Sequence, residues 1–303
     1  MKNKILTGFL LVLIGGWGSL SAQNVGSNYA RQVNTLIGTK GVGLTSGYLY
    51  PGATYPYGMV QFTPSYFSKR SGFVINQLSG GGCEHMGNFP TFPVKGKLKM
   101  SPDNILNYRI NISEEKGHAG YYEAKVQEDI HAKLTVTERT GMASYEYPAD
   151  QQYGTVIIGG GISATPIEQA AIVITAPNKC EGYAEGGNFC GLRTPYKVYF
   201  VAEFDTDALE SGTWKRNELK PNTTFAEGEY SGVYFTFDVD KKKNVQYKIG
   251  VSYVSVENAR ENLKAENTGW DFLQIQNQAE SKWNHYLGKI EVEGTNPDRT
   301  TQF

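Results

Sequence analysis

Gly232-Val233-Tyr234-Phe235-Thr236-Phe237-Asp238-Val239-Asp240-Lys241-Lys242-Lys243-Asn244-Val245-Gln246-Tyr247-Lys248-Ile249-Gly250-Val251-Ser252-Tyr253 holds two runs of alternating residues around a polar break. In an extended chain successive side chains point to opposite faces. Val233, Phe235, Phe237 and Val239 therefore share one face, and Val245, Tyr247, Ile249, Val251 and Tyr253 share another. The break at 240–244 reads as a hairpin connection, with Lys241, Lys242 and Lys243 as its solvated tip. Working outward, 196–205 repeats the pattern with Val198, Phe200, Ala202 and Phe204, and 130–137 repeats it with Ala132, Leu134 and Val136. From about Asn24 to Ser255 such stretches recur between turn residues without interleaved helices. The expected fold class is mainly β, a large antiparallel β-sandwich.

The period changes after Val256. Residues 257–266 read as a short helix, and Ile275, Ala279, Trp283 and Leu287 recur every fourth residue up to Gly288. That spacing makes one apolar stripe, which needs a surface to lie on. The expectation is an exposed helical linker over 257–288, leading into the start of a truncated second domain at 289–303; the alternative is a helix packed back on the sandwich with a frayed tail. The sandwich would occupy 23–256.

At the other end, Met1-Lys2-Asn3-Lys4 is basic, 5–17 is apolar, and Ser19-Leu20-Ser21-Ala22 is a small-residue stretch. Residues 1–22 thus read as a signal peptide, too short for the roughly 20 apolar residues that span a bilayer. The expected destination is the periplasm or the cell exterior, with no membrane span in the mature chain. A net charge of -1 and scattered basic residues argue against a nucleic-acid groove. The three cysteines, Cys83, Cys180 and Cys190, allow at most one internal disulfide.

Candidate chemistry concentrates in 34–93, where glycines and prolines put polar residues on loops. Gly38-Thr39-Lys40-Gly41-Val42-Gly43 lacks the ending of a phosphate loop. His85, His118, His131 and His285 lack metal-ligand spacing, and no cysteine pair has zinc-site intervals. Glu84 and His85 form the one acid–imidazole pair in a glycine-rich loop, read equally as a satisfied polar turn or a substrate contact. Cys83 reads as an inert buried thiol. Cys180 and Cys190 flank Gly186 and Gly187, and only geometry decides whether they pair. Tyr48, Tyr50, Tyr55 and Tyr57 suit sugar stacking but are more simply core or interface. Glycoside hydrolysis by inversion needs two carboxyl groups about 6.5 to 9.5 Å apart, and spacing nominates no such pair.

Taken in order, Asn34 to Gly38, Tyr50-Pro51-Gly52-Ala53-Thr54, Pro56-Tyr57-Gly58-Met59-Val60-Gln61, Ser79-Gly80-Gly81-Gly82-Cys83 and Gly187-Asn188-Phe189-Cys190 resemble the amino-terminal domain of glycoside hydrolase family 92. The region around Trp283 and the closing Arg299-Thr300-Thr301-Gln302-Phe303 resemble the run into that family's second domain. The resemblance implies an inverting, calcium-dependent exo-α-mannosidase, built from a β-sandwich and a helical toroid. It further implies that the catalytic acid, the base and most calcium ligands belong to the missing C-terminal helical domain. No catalytic or metal-binding residue is therefore expected in this chain, which would be inactive alone. The glycine-rich loops would form one wall of a pocket for a mannose-containing glycan. Cys83, Glu84, His85 and Cys190 are expected on that wall, with Arg70, Gln77 and Asn88 behind them. Asn76-Gln77-Leu78 and Glu84-His85-Met86 depart from the family's commoner wording. The alternative reading is a stand-alone carbohydrate-binding sandwich without catalysis.

Overall fold

The computed structural model describes residues 28–39, 49–65, 72–83, 85–103, 111–291, 294, 296 and 298–299. The proposed leader, Tyr48, Arg70, Glu84 and the closing 300–303 lie outside the described residues. A short helix α1 (Tyr29–Gln32) precedes strands β1 (Ala53–Thr54), β2 (Gln61–Pro64), β3 (Phe73–Val74), β4 (Thr91–Lys95), β5 (Ile112–His118), β6 (Tyr121–Val126), β7 (Ile130–Val136) and β8 (Thr140–Glu146). Then follow β9 (Tyr153–Gly159), β10 (Ile167–Ala176), β11 (Lys179–Phe189), β12 (Leu192–Phe204), β13 (Glu210–Lys215), β14 (Glu218–Pro221), β15 (Phe225–Glu227), β16 (Ser231–Asp238) and β17 (Asn244–Ser252). Helices α2 (Val256–Glu266) and α3 (Phe272–Leu287) close the order.

The strands form two sheets, one ordered β1-β2-β3-β4-β9-β16-β13-β14 and the other β15-β10-β11-β12-β17-β8-β7-β6-β5. One continuous apolar core lies between them. Alternation places Val198, Phe200, Ala202 and Phe204 of β12, and Ala132, Leu134 and Val136 of β7, in that core. Phe204 reaches across to Phe235 and Phe237 of the facing sheet, each ring centroid 5.0 Å away. The fold is the expected mainly-β sandwich.

The expected hairpin at 240–244 is not a hairpin. β16 pairs with β9 and β13 in one sheet, while β17 pairs with β8 and β12 in the other. The connection arches over the core, so both apolar faces turn inward toward each other, where a hairpin would have set them side by side. The lysine tip is stabilised by ion pairs, Lys241 to Asp238 at 3.0 Å and Lys242 to Asp205 at 2.7 Å. β17 also ends one residue early. Tyr253, expected on the core face, turns out of the strand and is 37 % exposed.

The helices lie on the sandwich, which favours the packed-back alternative over the exposed linker. Ser255 caps α2 by accepting from the Asn258 amide at 3.0 Å, and Ala259 and Leu263 pack on Val201. Gly250 makes this approach possible, because a Cβ there would stand 2.5 Å from the Ala259 carbonyl oxygen. Beneath the helix end, the buried Lys248 ammonium donates to the Asn267 carbonyl at 3.0 Å and sits 4.4 Å above the Trp270 ring. Burial pulls its pKa down, against the raising effect of Glu203.

Asp271 caps α3, and Ile275, Gln276, Ala279 and Glu280 are its buried residues. Trp283 and Leu287 are half-buried, so the inward face is rotated from the all-apolar stripe toward a mixed one. Ala279 rests on Gly120, where a Cβ would meet it at 2.9 Å. The polar half is satisfied at Glu280, which takes Gln276 Nε2 at 2.7 Å, His118 Nε2 at 2.9 Å, Arg31 Nε at 3.0 Å and Asn28 Nδ2 at 3.4 Å. Burial pushes this carboxyl up, but hydrogen bonds from Arg31, His118, Gln276 and Asn28 outweigh it and hold the pKa at about 2. Asn284 accepts from the Ala30 amide at 2.8 Å, and the Trp283 indole donates to the Thr54 carbonyl at 2.7 Å.

Candidate functional site

Where α3 meets the loops of the sandwich, a cleft of about 360 Å³ opens between Tyr55, Gln61, Asn76, Gln77, Tyr253 and Trp283. Each wall has a local cause. Trp283 is fixed by its bond to Thr54, the last residue of β1. Asn76 and Gln77 follow β3, where the chain makes isolated bridges from Gln61 to Asn76 and from Gln77 to Met86. The second bridge forms the base of the glycine-rich loop carrying Cys83. Leu78, Ser79 and Met86 from this loop also line the cleft.

Behind the wall lies an amide hub. Asn76 Oδ1 accepts from the Asn88 amide at 2.7 Å, while Asn76 Nδ2 donates to Asn88 Oδ1 at 3.0 Å and to the Tyr253 hydroxyl at 3.4 Å. Tyr196 adds its hydroxyl to Asn88 Oδ1 at 2.6 Å. Burial raises the pKa of both tyrosines, so both stay neutral, Tyr196 donating to Asn88 and Tyr253 accepting from Asn76. Gln77 Nε2 donates to the His85 carbonyl at 3.1 Å. Two buried atoms of this hub, Gln77 Oε1 and Asn88 Nδ2, have no partner among the described residues. An unpaired buried polar atom costs about 1–3 kcal/mol, and such a cost is a common mark of a ligand or water position.

His85 is buried between Phe189 and Tyr196, with ring centroids at 5.3 and 5.6 Å, and its Nδ1 is 3.3 Å from the Asn188 carbonyl. A carbonyl can only accept, so Nδ1 carries the proton in this contact. Met86 and Phe89 have φ of 61° and 53°. Left-handed backbone at non-glycine residues is costly and gathers at functional sites.

The cysteines differ from their reading. Cys83 is not a buried thiol but is disulfide-bonded to Cys190, 107 residues away, with Cα atoms 5.4 Å apart. Cys180 is the free, buried cysteine, its pKa pushed up by burial. Cys180 lies on the core face of β11, whereas Cys190 sits at the β11–β12 tip, facing the glycine-rich loop.

The structure thus brings together Cys83, His85, Cys190, Gln77 and Asn88. Of these, Gln77 alone touches the cleft; Asn88 and His85 support it. Sequence reading missed Asn76, Tyr253 and Trp283. The departure at 76–78 was a signal for the first, and the other two were hidden inside regular apolar patterns. Tyr50 is buried, Tyr55 half-buried in the cleft wall, and Tyr57 86 % exposed with its ring edge-on to Tyr286 at 5.1 Å. Along the outer side of α3 runs a wider groove of about 840 Å³ that shares Tyr55 and includes Asp271 and His285.

The described lining of the cleft carries no charged side chain. Neutral amides beside aromatic rings suit a polyhydroxylated, uncharged ligand. They cannot supply an acid and a base. Among the described residues no three His, Cys, Asp or Glu side chains gather to hold a metal. Calcium takes six to eight oxygen ligands, usually with carboxylates, so the cleft as described does not fit that ion.

Comparison with known proteins bears on these loops directly. The profile of the Glycosyl hydrolase family 92 N-terminal domain matches residues 32–252, and that of the family's catalytic domain matches 258–303. The chain belongs to glycosyl hydrolase family 92. An "uncharacterized secreted glycosidase" of Arthroderma benhamiae is 26 % identical, over 93 % of this chain and 41 % of that protein. A family GH92 alpha-mannosidase of Bacteroides thetaiotaomicron superposes with a TM-score of 0.79 at 24 % identity, covering 91 % of this chain and 40 % of its own. An inverting family GH92 mannosidase from the same organism gives 0.75 at 23 %, over 91 % and 38 %. The chain therefore spans about 40 % of the length of the relatives it matches. Family 92 membership accounts for the sandwich and for the helices that follow it, and no described helix is long and apolar enough to cross a membrane.

Proposed function

We propose that this sandwich is the non-catalytic half of an exported, exo-acting α-mannosidase that inverts configuration and depends on calcium. The observation that supports it best is the cleft on loops within the family-matched region, whose described lining carries no charged side chain: its neutral amides and rings suit a neutral sugar and offer no acid and base pair. In this reading Gln77 and Asn76 contact glycan hydroxyls, while Tyr55, Tyr253 and Trp283 offer ring surface. His85, Asn88 and the Cys83–Cys190 bond hold the wall in place. The acid, the base and the calcium ligands belong to the helical catalytic region that the longer relatives possess. Mannose-terminated glycans are the proposed substrate, since two of the similar structures are mannosidases.

The test compares the chain alone with the chain fused to the helical domain of a solved relative, both assayed with calcium on an aryl α-mannoside. Turnover by the fusion and none by the chain alone is expected. Hydrolysis by the chain alone would refute the division of labour, and an inactive, properly folded fusion would remove the proposed role in hydrolysis.

A further inference from the structure

The loop that forms one wall of the cleft is tied at its far end by a single covalent link. Gln77, Leu78 and Ser79 leave the bridge on one limb, Met86 returns on the other, and Cys83 lies between. Residues 78–80 and 82 are exposed, and Gly80 and Gly82 hold φ of 73° and 72°. A segment of this composition loses much chain entropy on ordering. Its tether, Cys190, is an exposed residue that itself adopts φ of 52°, in the tight tip that Asn188 Oδ1 caps by accepting from the Gly191 amide at 2.8 Å. Beside the bond, the described noncovalent contacts are the His85 ring against Asn188, Phe189 and Tyr196, the Met86 carbonyl accepting from the Ala164 amide at 2.9 Å, and Gly81 close to the Phe189 ring, all of them on the loop's base or its near limb.

We propose that the Cys83–Cys190 disulfide is a reducible latch, which orders the cleft wall when oxidised and releases it when reduced, without unfolding the sandwich. The inference concerns the same cleft as the proposed function but does not depend on what the cleft binds. The reductant is a dithiol. One of its thiolates attacks a sulfur of the bond, forming a mixed disulfide and expelling the other cysteine as a thiolate. The second thiol of the reductant then displaces the first cysteine. Two electrons pass to the protein, leaving two cysteine thiols and a cyclic disulfide. Exposure of Cys190 gives the reductant access, and burial of Cys180 keeps it out of the exchange.

The experiment uses the whole chain and dithiothreitol under native conditions. Alkylation followed by peptide mass analysis should find Cys83 and Cys190 modified and Cys180 untouched. Hydrogen exchange should then quicken by about ten-fold or more over 76–89 and 186–196, while β16 and β17 stay protected, and oxidised glutathione should reverse the change. The double variant Cys83→Ser/Cys190→Ser should show the reduced pattern without any reductant. The proposal is overturned by a bond that resists the dithiol in the folded protein. It is overturned equally by unchanged loop exchange in the reduced protein and the double variant, or by protection lost throughout, which would make the bond a staple of the whole fold. Because no glycan enters the measurement, failure here is separable from failure of the mannosidase reading.

Discussion

Two regions of the molecule are joined to the same sandwich by opposite means. The α3 face is held by a buried carboxylate, Glu280, whose four partners come from the α3 helix itself, the end of β5 and the segment that opens α1. The glycine-rich wall is held by an exposed disulfide and an amide hub that leaves Gln77 Oε1 and Asn88 Nδ2 unpaired. A saturated network behaves as structure, since a further ligand has nothing to add. An unsaturated one keeps donors and acceptors in reserve, at a cost in stability. The contrast is the ground on which the proposed ligand is placed at the loop wall and not at the more heavily bonded helix face.

The contrast breaks first at Glu280. Glu280→Ala strands His118 and Arg31 without their shared acceptor, and loss of one partner of a buried ion pair costs about 3–5 kcal/mol. Denaturant titration should show a loss near the lower end, because Arg31 is half-exposed; a loss below about 1 kcal/mol would remove the distinction between the two regions. Next comes Gly250→Val, which drives a side chain into the backbone of α2 and should cost about 1–3 kcal/mol while leaving the loop wall's exchange pattern intact. Exchange that quickens in both regions would show them to be coupled.

A milder effect is expected from acid. Glu280 has a folded pKa of about 2 against an ordinary 4.5, so its contribution is fully present above about pH 4.5. It drains away as pH falls toward 2, when a proton enters the carboxyl that Arg31 and His118 face, with the neutral Tyr121 phenol nearby. Wild type should lose stability through this window more steeply than Glu280→Gln; parallel curves would assign the acid sensitivity elsewhere. Smallest is Gln77→Leu, which replaces a half-satisfied amide by an apolar group and should change stability by about 1 kcal/mol or less. In the fused enzyme the same change should raise KM for the aryl mannoside, and an unchanged KM would move the sugar contact away from Gln77.

Much of the fold was legible because alternation is local. Each residue's facing in β7, β12 and β17 follows from its own backbone, so Leu134, Phe200 and Ile249 fall in the core as read. The order of family-like motifs likewise pointed to the loops that line the cleft. Trp283 and Tyr253 were illegible as cleft residues, because their patterns fit an apolar stripe and a strand face equally well. Their exposure depends on where α3 docks and where β17 stops.

By itself, the sequence determined a β-sandwich followed by helices, and a loop cluster of family 92 type. Tertiary structure alone decided that β16 and β17 arch between sheets, that α3 lies on Gly120 with Glu280 at its seam, and that Cys83 finds Cys190 and not a buried solitude. The reason is range: periodicity is written over neighbouring residues, whereas strand partners, helix docking and a bond across 107 residues are set by which surfaces the closed core leaves beside one another.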